Sequence, residues 1–212
     1  MAAPALLAFD LDGTLVPTME DYADKAADLM VEAFGTPFAE ARAAYFRTSG
    51  LPYEQQLAQL YPDRVDTPDV AARFEDWKDG YLDQVSLDPA VQGLLAGWRS
   101  AGLKVAISSN NLEIYVSRLA RDWPVDLALG YRPDDGFGKG EAHFAMLEQV
   151  TGLDRARFLF VGDSPNDCRI AARCGVRFTG LLTAAFVPQD FRAVDAAVDL
   201  IENLAEVSDR LA

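Results

Sequence analysis

Ala5-Leu-Leu-Ala-Phe-Asp10-Leu-Asp12-Gly13-Thr14 is the stretch on which the fold turns. From Ala5 to Leu11 it is an apolar run broken by Asp10, the pattern of a strand buried on both faces of a parallel sheet. Gly13 marks its end. An aspartate inside a buried run costs free energy unless something partners it. Asp10 is therefore read as a residue of chemistry, and Asp12 with it, rather than as the lead-in to an ordinary Asp-Gly turn.

Outward from this strand the pattern is helical for a long way. From Thr18, read as an N-cap with Asp21 three residues on, apolar residues recur at Tyr22, Ala26, Leu29, Met30, Ala33 and Phe34 until Gly35 stops them. Further helical stretches are expected at Phe38–Phe46, Tyr53–Leu60, Val70–Val85 and Ala90–Trp98, separated by Gly50-Leu51-Pro52, Pro62-Asp63 and Asp88-Pro89. No strand is evident between Val16 and Leu103. Apolar runs at Leu103–Ile107, Leu127–Leu129, Phe158–Val161 and Phe178–Leu182 then alternate with helical segments near Leu112–Arg121, Glu141–Val150 and Asn166–Cys174. That alternation builds a parallel sheet with helices on both faces. The expected fold is α/β, a doubly wound, mostly parallel, Rossmann-like sheet from residues 1–15 and 89–212, with the helical block 16–88 inserted. Cys168 and Cys174, six residues apart in one helix, point to different faces and imply no disulfide.

Ligand sites in open parallel sheets lie outside the carboxyl ends of the strands. Asp10 and Asp12 follow the first run, Ser108 to Asn111 the second, and Asp163 with Asp167 the run at Phe158–Val161, while Lys139 precedes the helix led by Glu141. A carboxylate cluster with no histidine or thiolate favours a hard cation, typically Mg²⁺ where the substrate is rich in oxygen. A carboxylate can attack phosphorus while metal, lysine and hydroxyl stabilise the equatorial oxygens. A second acid two residues away can protonate the leaving oxygen and then activate water. A structural reading competes at the last segment: Ser164 as N-cap, Pro165 at the first helical position and Asp167 three residues after the cap make a helix start that needs no metal. His143, the only histidine, reads as a helix-surface residue, and the Phe and Trp residues as core.

Asp10-Leu-Asp12-Gly13-Thr14, the Ser109-Asn110 pair, Lys139 and Gly162-Asp163-Ser164-Pro165-Asn166-Asp167 resemble, in order, the four motifs of the haloacid dehalogenase-like (HAD) superfamily, in its phosphoglycolate phosphatase and beta-phosphoglucomutase-like branch. The resemblance implies Asp10 as nucleophile and Asp12 as general acid and base, with its backbone carbonyl a metal ligand. It implies Ser109, with Ser108 as the neighbouring alternative, as the hydroxyl that binds the phosphoryl group beside Asn110. Lys139 becomes the third-motif lysine, although Gly140-Glu141 follows it where family members often have proline. Asp163 and Asp167 become direct or water-bridged Mg²⁺ ligands. The insertion is similar to the family's helical cap, a lid that selects substrate, and Arg47-Thr48-Ser49-Gly50-Leu51-Pro52 resembles the cap's specificity loop.

The expected activity is Mg²⁺-dependent hydrolysis of small phosphomonoesters through an aspartyl phosphate. Asp12 counts against a dehalogenase, which needs no acid there, and the lack of lysine between Asp28 and Arg73 counts against a phosphonate hydrolase. A sugar phosphomutase and an inactive binding module on the same fold are the alternatives. The net charge of −14 repels phosphate backbones and anionic lipid, so neither nucleic acid nor membrane is an expected partner. A small phosphorylated metabolite is. With no signal peptide or spanning stretch read in the sequence, a cytoplasmic monomer or homodimer is expected.

Overall fold

The computed structural model of the protein describes residues 3–211. In chain order its main elements are β1 (Leu6–Phe9), α1 (Met19–Phe34), α2 (Phe38–Thr48), α3 (Tyr53–Leu60), α4 (Thr67–Leu82), α5 (Pro89–Ser100), β2 (Lys104–Leu112), α6 (Glu113–Leu119), β3 (Leu127–Tyr131), α7 (Glu141–Thr151), β4 (Phe158–Gly162), α8 (Pro165–Cys174), β5 (Arg177–Leu181), α9 (Pro188–Arg192) and β6 (Asp199–Ile201). They form two compact units, Met1–Pro17 with Ser86–Ala212, and Thr18–Val85.

The first unit is an α/β fold around a six-stranded sheet of order β3-β2-β1-β4-β5-β6, with every pairing parallel. β1 is buried along its whole length and pairs with β2 on one side, Leu6 opposite Lys104, and with β4 on the other, Leu6 opposite Phe158. Burial on both faces is why its sequence is apolar without alternation. Leu6, Ala8, Phe158 and Phe160 pack with Phe144 and Leu147 of α7 and Ile170 of α8. Phe9 stacks on Trp98 of α5 at 5.5 Å. The order of strands reverses direction at β1, and the carboxyl ends of β1, β2 and β4 meet there, where open sheets of this kind hold their ligands.

The second unit is helical. α1, α2, α3 and α4 enclose an aromatic centre in which Tyr53 and Phe74 lie 4.4 Å apart and Tyr22 meets Phe74 edge-on at 5.8 Å. The Tyr53 hydroxyl donates to the Ala26 carbonyl at 3.1 Å. Between α2 and α3 the chain turns at Ser49–Pro52. There Gln56 Nε2 donates to Leu51 O at 2.9 Å, and Gln56 Oε1 lies 2.9 Å from the Thr48 hydroxyl.

Several expectations are corrected. β2 runs on to Leu112, through residues read as following the strand, with a register shift against β3 between Ser108 and Leu112. Thr18 occupies the N-cap of α1, yet its side chain makes no cap bond and its backbone (φ −88°, ψ −15°) is already helical. Phe38, at the start of α2, is 43% exposed rather than core. α9 and β6 have no counterpart in the sequence reading, because five and three residues are too short to show a period. Both cysteines are free. No helix among the described residues is long and apolar enough to cross a membrane.

Candidate active site

Asp10 ends β1, its N–H donating to Val161 O at 2.8 Å. The next residues close a tight turn: the N–H groups of Thr14, Leu15 and Val16 converge on the Leu11 carbonyl at 3.3, 2.9 and 3.1 Å, and Gly13 N–H reaches Val16 O at 2.7 Å. Gly13 has φ +81°, which glycine adopts without strain. The turn thus satisfies much of its own backbone.

At the end of β4 stands Asp163, and α8 begins at once. Ser164 caps α8, accepting from Asp167 N–H at 3.1 Å, while its hydroxyl donates to Asp167 Oδ2 at 2.6 Å. Gly162 lets Asp167 close on the strand: a Cβ there would stand 2.7 Å from Asp167 Oδ2. Asp167 therefore serves the helix start and the cluster together, so the capping reading and the site reading coexist in one residue.

The cluster is assembled around Lys139. Its ammonium lies 2.7 Å from Asp10 Oδ1 and 2.9 Å from Asp167 Oδ1, and its side chain is 2% exposed. Asp10, Asp163 and Asp167 each offer an oxygen within 4.8 Å of the others. Asp163 Oδ2 is buried with no hydrogen-bond partner. Burial pushes the Asp10 carboxyl up, to about 7, against the pull of Lys139, and pushes Asp163 well above the usual carboxylate range, with Asp10 and Asp167 adding to it. Burial works against the Lys139 charge, but Asp10 and Asp167 outweigh it and hold the ammonium protonated above its ordinary range. Once ionised, three carboxylates against one ammonium leave two negative charges uncompensated, which one divalent cation cancels. An unpartnered buried oxygen and an all-oxygen donor set fit a hard cation.

The end of β2 supplies four polar side chains, each with its own task. The Ser108 hydroxyl is 2.9 Å from His143 Nδ1, and His143 Nε2 is 3.1 Å from Gly130 O. His143 is thus a fully buried residue of α7, not the surface histidine expected. Burial lowers its pKa to about 4, so it is neutral at pH 7. Ser109 Oγ accepts the Asn111 N–H at 3.0 Å and keeps its own proton to donate. Asn110 Oδ1 accepts the Lys139 backbone N–H at 2.9 Å. Asn111 Nδ2 donates to Asp12 Oδ2 at 3.2 Å. Of the two serines, the one with a free O–H is Ser109.

Asn111, His143 and Ser164 were given no role in the site by sequence reasoning. His143 was legible: it lies four residues before Leu147 and beside Phe144, both fully buried on the core face of α7. Arg47, Thr48, Ser49 and Gly50 lie in the helical unit. Arg47 is exposed. The Thr48 hydroxyl is committed to Gln56 or the Ala44 carbonyl, and the Ser49 hydroxyl donates to Phe46 O at 2.9 Å. Gly50 turns the chain at φ +88°.

The model of the haloacid dehalogenase-like hydrolases matches residues 4–175. The chain is 31% identical over 186 residues to a phosphoglycolate phosphatase of Pectobacterium atrosepticum, covering 82% of this chain and 79% of that protein. It is 28% identical over 195 residues to phosphoglycolate phosphatase 1 of Pseudomonas aeruginosa, covering 84% and 69%. Among solved structures, a haloacid dehalogenase-like family hydrolase of Streptococcus pneumoniae shares the fold, with a TM-score of 0.78 at 17% identity over 99% of each chain. With the match running from the start of β1 through the end of α8, the protein belongs to the haloacid dehalogenase-like hydrolases.

Proposed function

We propose that the protein is a phosphatase of small phosphomonoesters, with Asp10 as nucleophile. The observation that carries this reading is the Asp10 carboxylate held at 2.7 Å by the buried Lys139 ammonium, beside an Asp163 oxygen that lacks any partner. Asp10 attacks phosphorus, the bond to the ester oxygen breaks, and Asp12 gives its proton to the departing oxygen. Asp12 then takes a proton from water, whose oxygen bonds to phosphorus and releases inorganic phosphate from Asp10. The Asn111 amide aims Asp12 for both steps.

The Ser109 hydroxyl and the third N–H of Lys139, the other two being bonded to Asp10 and Asp167, are donors for the oxygens of the transferring group. Mg²⁺ suits the donor set: Asp10, the Asp12 carbonyl and Asp163 would hold it, with Asp167, whose oxygens already meet Lys139 and Ser164, as a direct or water-bridged ligand. When bound it supplies the positive charge that an anionic phosphoester and an anionic nucleophile need in order to approach.

Choice of leaving group falls to the helical unit, with Arg47, Thr48, Ser49 and Gly50 as the residues to examine. The names of the relatives make phosphoglycolate, whose leaving group bears its own carboxylate, the first substrate to try. A cytoplasmic setting suits a small phosphorylated metabolite. The test is phosphate release from a panel of phosphometabolites, with and without Mg²⁺, for the wild type and Asp10→Asn. Release by the wild type with metal and none by the folded variant is expected. Unchanged activity in Asp10→Asn overturns the mechanism.

A further inference from the structure

We infer that His143 is a positioning residue that sets the spacing between the phosphoryl-binding Ser109 and Lys139. The inference rests on the phosphatase reading for what those two residues do, and on geometry alone for the positioning.

A carbonyl oxygen only accepts, so His143 Nε2, 3.1 Å from Gly130 O, carries the ring proton. Nδ1 then presents a lone pair, and the Ser108 hydroxyl, 2.9 Å away, donates to it. The neutral imidazole is fully buried, packed against the Phe137 ring at 4.6 Å, and ties α7 to β2 and β3 at once. Its pairing with β3 falls where the chains crowd: a Cβ on Gly130 would stand 2.4 Å from Glu113 Cα.

The second tie lies two residues along. Asn110 Oδ1 accepts the Lys139 N–H at 2.9 Å. Ser109 is therefore bracketed, with Ser108 bound to His143 and Asn110 bound to Lys139, one partner inside the first turn of α7 and the other two residues before it. A core position asks only for apolar volume. A fully bonded buried polar group instead fixes one arrangement, because any slip leaves its atoms unpaired.

Two substitutions separate the bonds. His143→Gln keeps an N–H that can reach Gly130 O and lacks the acceptor for Ser108. His143→Asn keeps an acceptor near the Nδ1 position and lacks the reach to Gly130. Misplacement of a reacting or binding group by an ångström lowers turnover steeply, so kcat of His143→Gln is expected to fall roughly 10–100-fold. Its KM is expected to stay within about two-fold, the signature of an interaction made chiefly in the transition state. Ser108→Ala should reproduce the loss, and the double variant should be no worse than either single one. His143→Asn should recover most of kcat despite lower stability, which a merely structural role does not allow.

A readout independent of turnover is the pair of backbone amide shifts of Ser109 and Lys139. They should move in His143→Gln and return towards wild type in His143→Asn. Wild-type kcat in folded His143→Gln, or unmoved amides, overturns the inference. Ser108→Ala removes a single oxygen and decides the matter by the same two readouts if the histidine variants do not fold. If the wild type releases no phosphate from any ester, the phosphatase reading fails, and the amide shifts alone decide the positioning.

Discussion

Asn110 grips Lys139 by its backbone: the asparagine oxygen accepts the lysine N–H at 2.9 Å, while the ammonium at the far end of the side chain spans Asp10 and Asp167. The backbone anchor thus comes from β2, and the carboxylates that hold the ammonium come from the end of β1 and from α8. Asn110→Ala leaves the Lys139 N–H unsatisfied, which costs about 1–3 kcal/mol. The ammonium loses its fixed root at the same time, and a kcat loss of roughly 10–100-fold is expected. Urea unfolding and phosphate release check the two parts separately.

Metal binding must compete with protons. Burial raises the Asp10 pKa to about 7 and Asp163 well above its usual range. A carboxyl with a raised folded pKa binds its proton more tightly folded than unfolded. Its contribution to stability is present below the unfolded value and is lost as pH rises through the folded one. The metal-free protein is therefore expected to be held back at pH 8 relative to pH 6 by these groups, and Mg²⁺ to stabilise it more at pH 8, where fewer protons have to leave. Saturation at 100 times Kd corresponds to about 2.7 kcal/mol. Thermal unfolding with and without Mg²⁺ at both pH values checks this, and Asp163→Asn should remove most of the shift.

His143 acts with the opposite sign. Burial lowers its pKa from 6.5 to about 4, with Lys139 and Arg132 adding to the effect against the Gly130 carbonyl. The neutral ring favours the folded state fully above pH 6.5. That stability drains away as pH falls toward 4, by up to about 1.4 kcal/mol per pH unit and roughly 3 kcal/mol in all. His143→Gln does not titrate there. Subtracting its urea midpoints at pH 7, 6 and 5 from those of the wild type isolates the histidine from Asp10 and Asp163, which both proteins share.

Gly162→Ala places a Cβ 2.7 Å from Asp167 Oδ2 and 2.8 Å from its Cβ and Cγ. Asp167 has to move, and it holds both Ser164 and Lys139. A stability loss of about 1–3 kcal/mol is expected, as for other overpacked sites, together with reduced turnover. Gly97→Ala, inside α5 with open space around it, is the control and should stabilise by about 0.5–1 kcal/mol. Denaturation midpoints of the two variants side by side decide.

Much of the sheet was legible because β1 and β4 are buried on both faces and carry unbroken apolar runs. β6 was not: its three residues include a half-buried aspartate that pairs with Arg210 at 3.0 Å, and so short a segment has no period to read. At the site, residue types announce carboxylates and a lysine, but not which of two adjacent serines is free. That depends on His143 pointing inward, a fact of packing between α7 and β2. The Ser164 and Asp167 spacing was visible as a helix start, whereas the second use of Asp167, accepting from Lys139, needs the third dimension.

The turn that closes on the Leu11 carbonyl ends at Val16, and the helical unit begins at Thr18. That unit is one uninterrupted stretch, Thr18–Val85, with an aromatic centre of its own. A single crossover at each of its two joints can therefore exchange it whole between relatives. Such an exchange leaves every bond among Asp10, Lys139, Asp163 and Asp167 in the inheritance of the other parent.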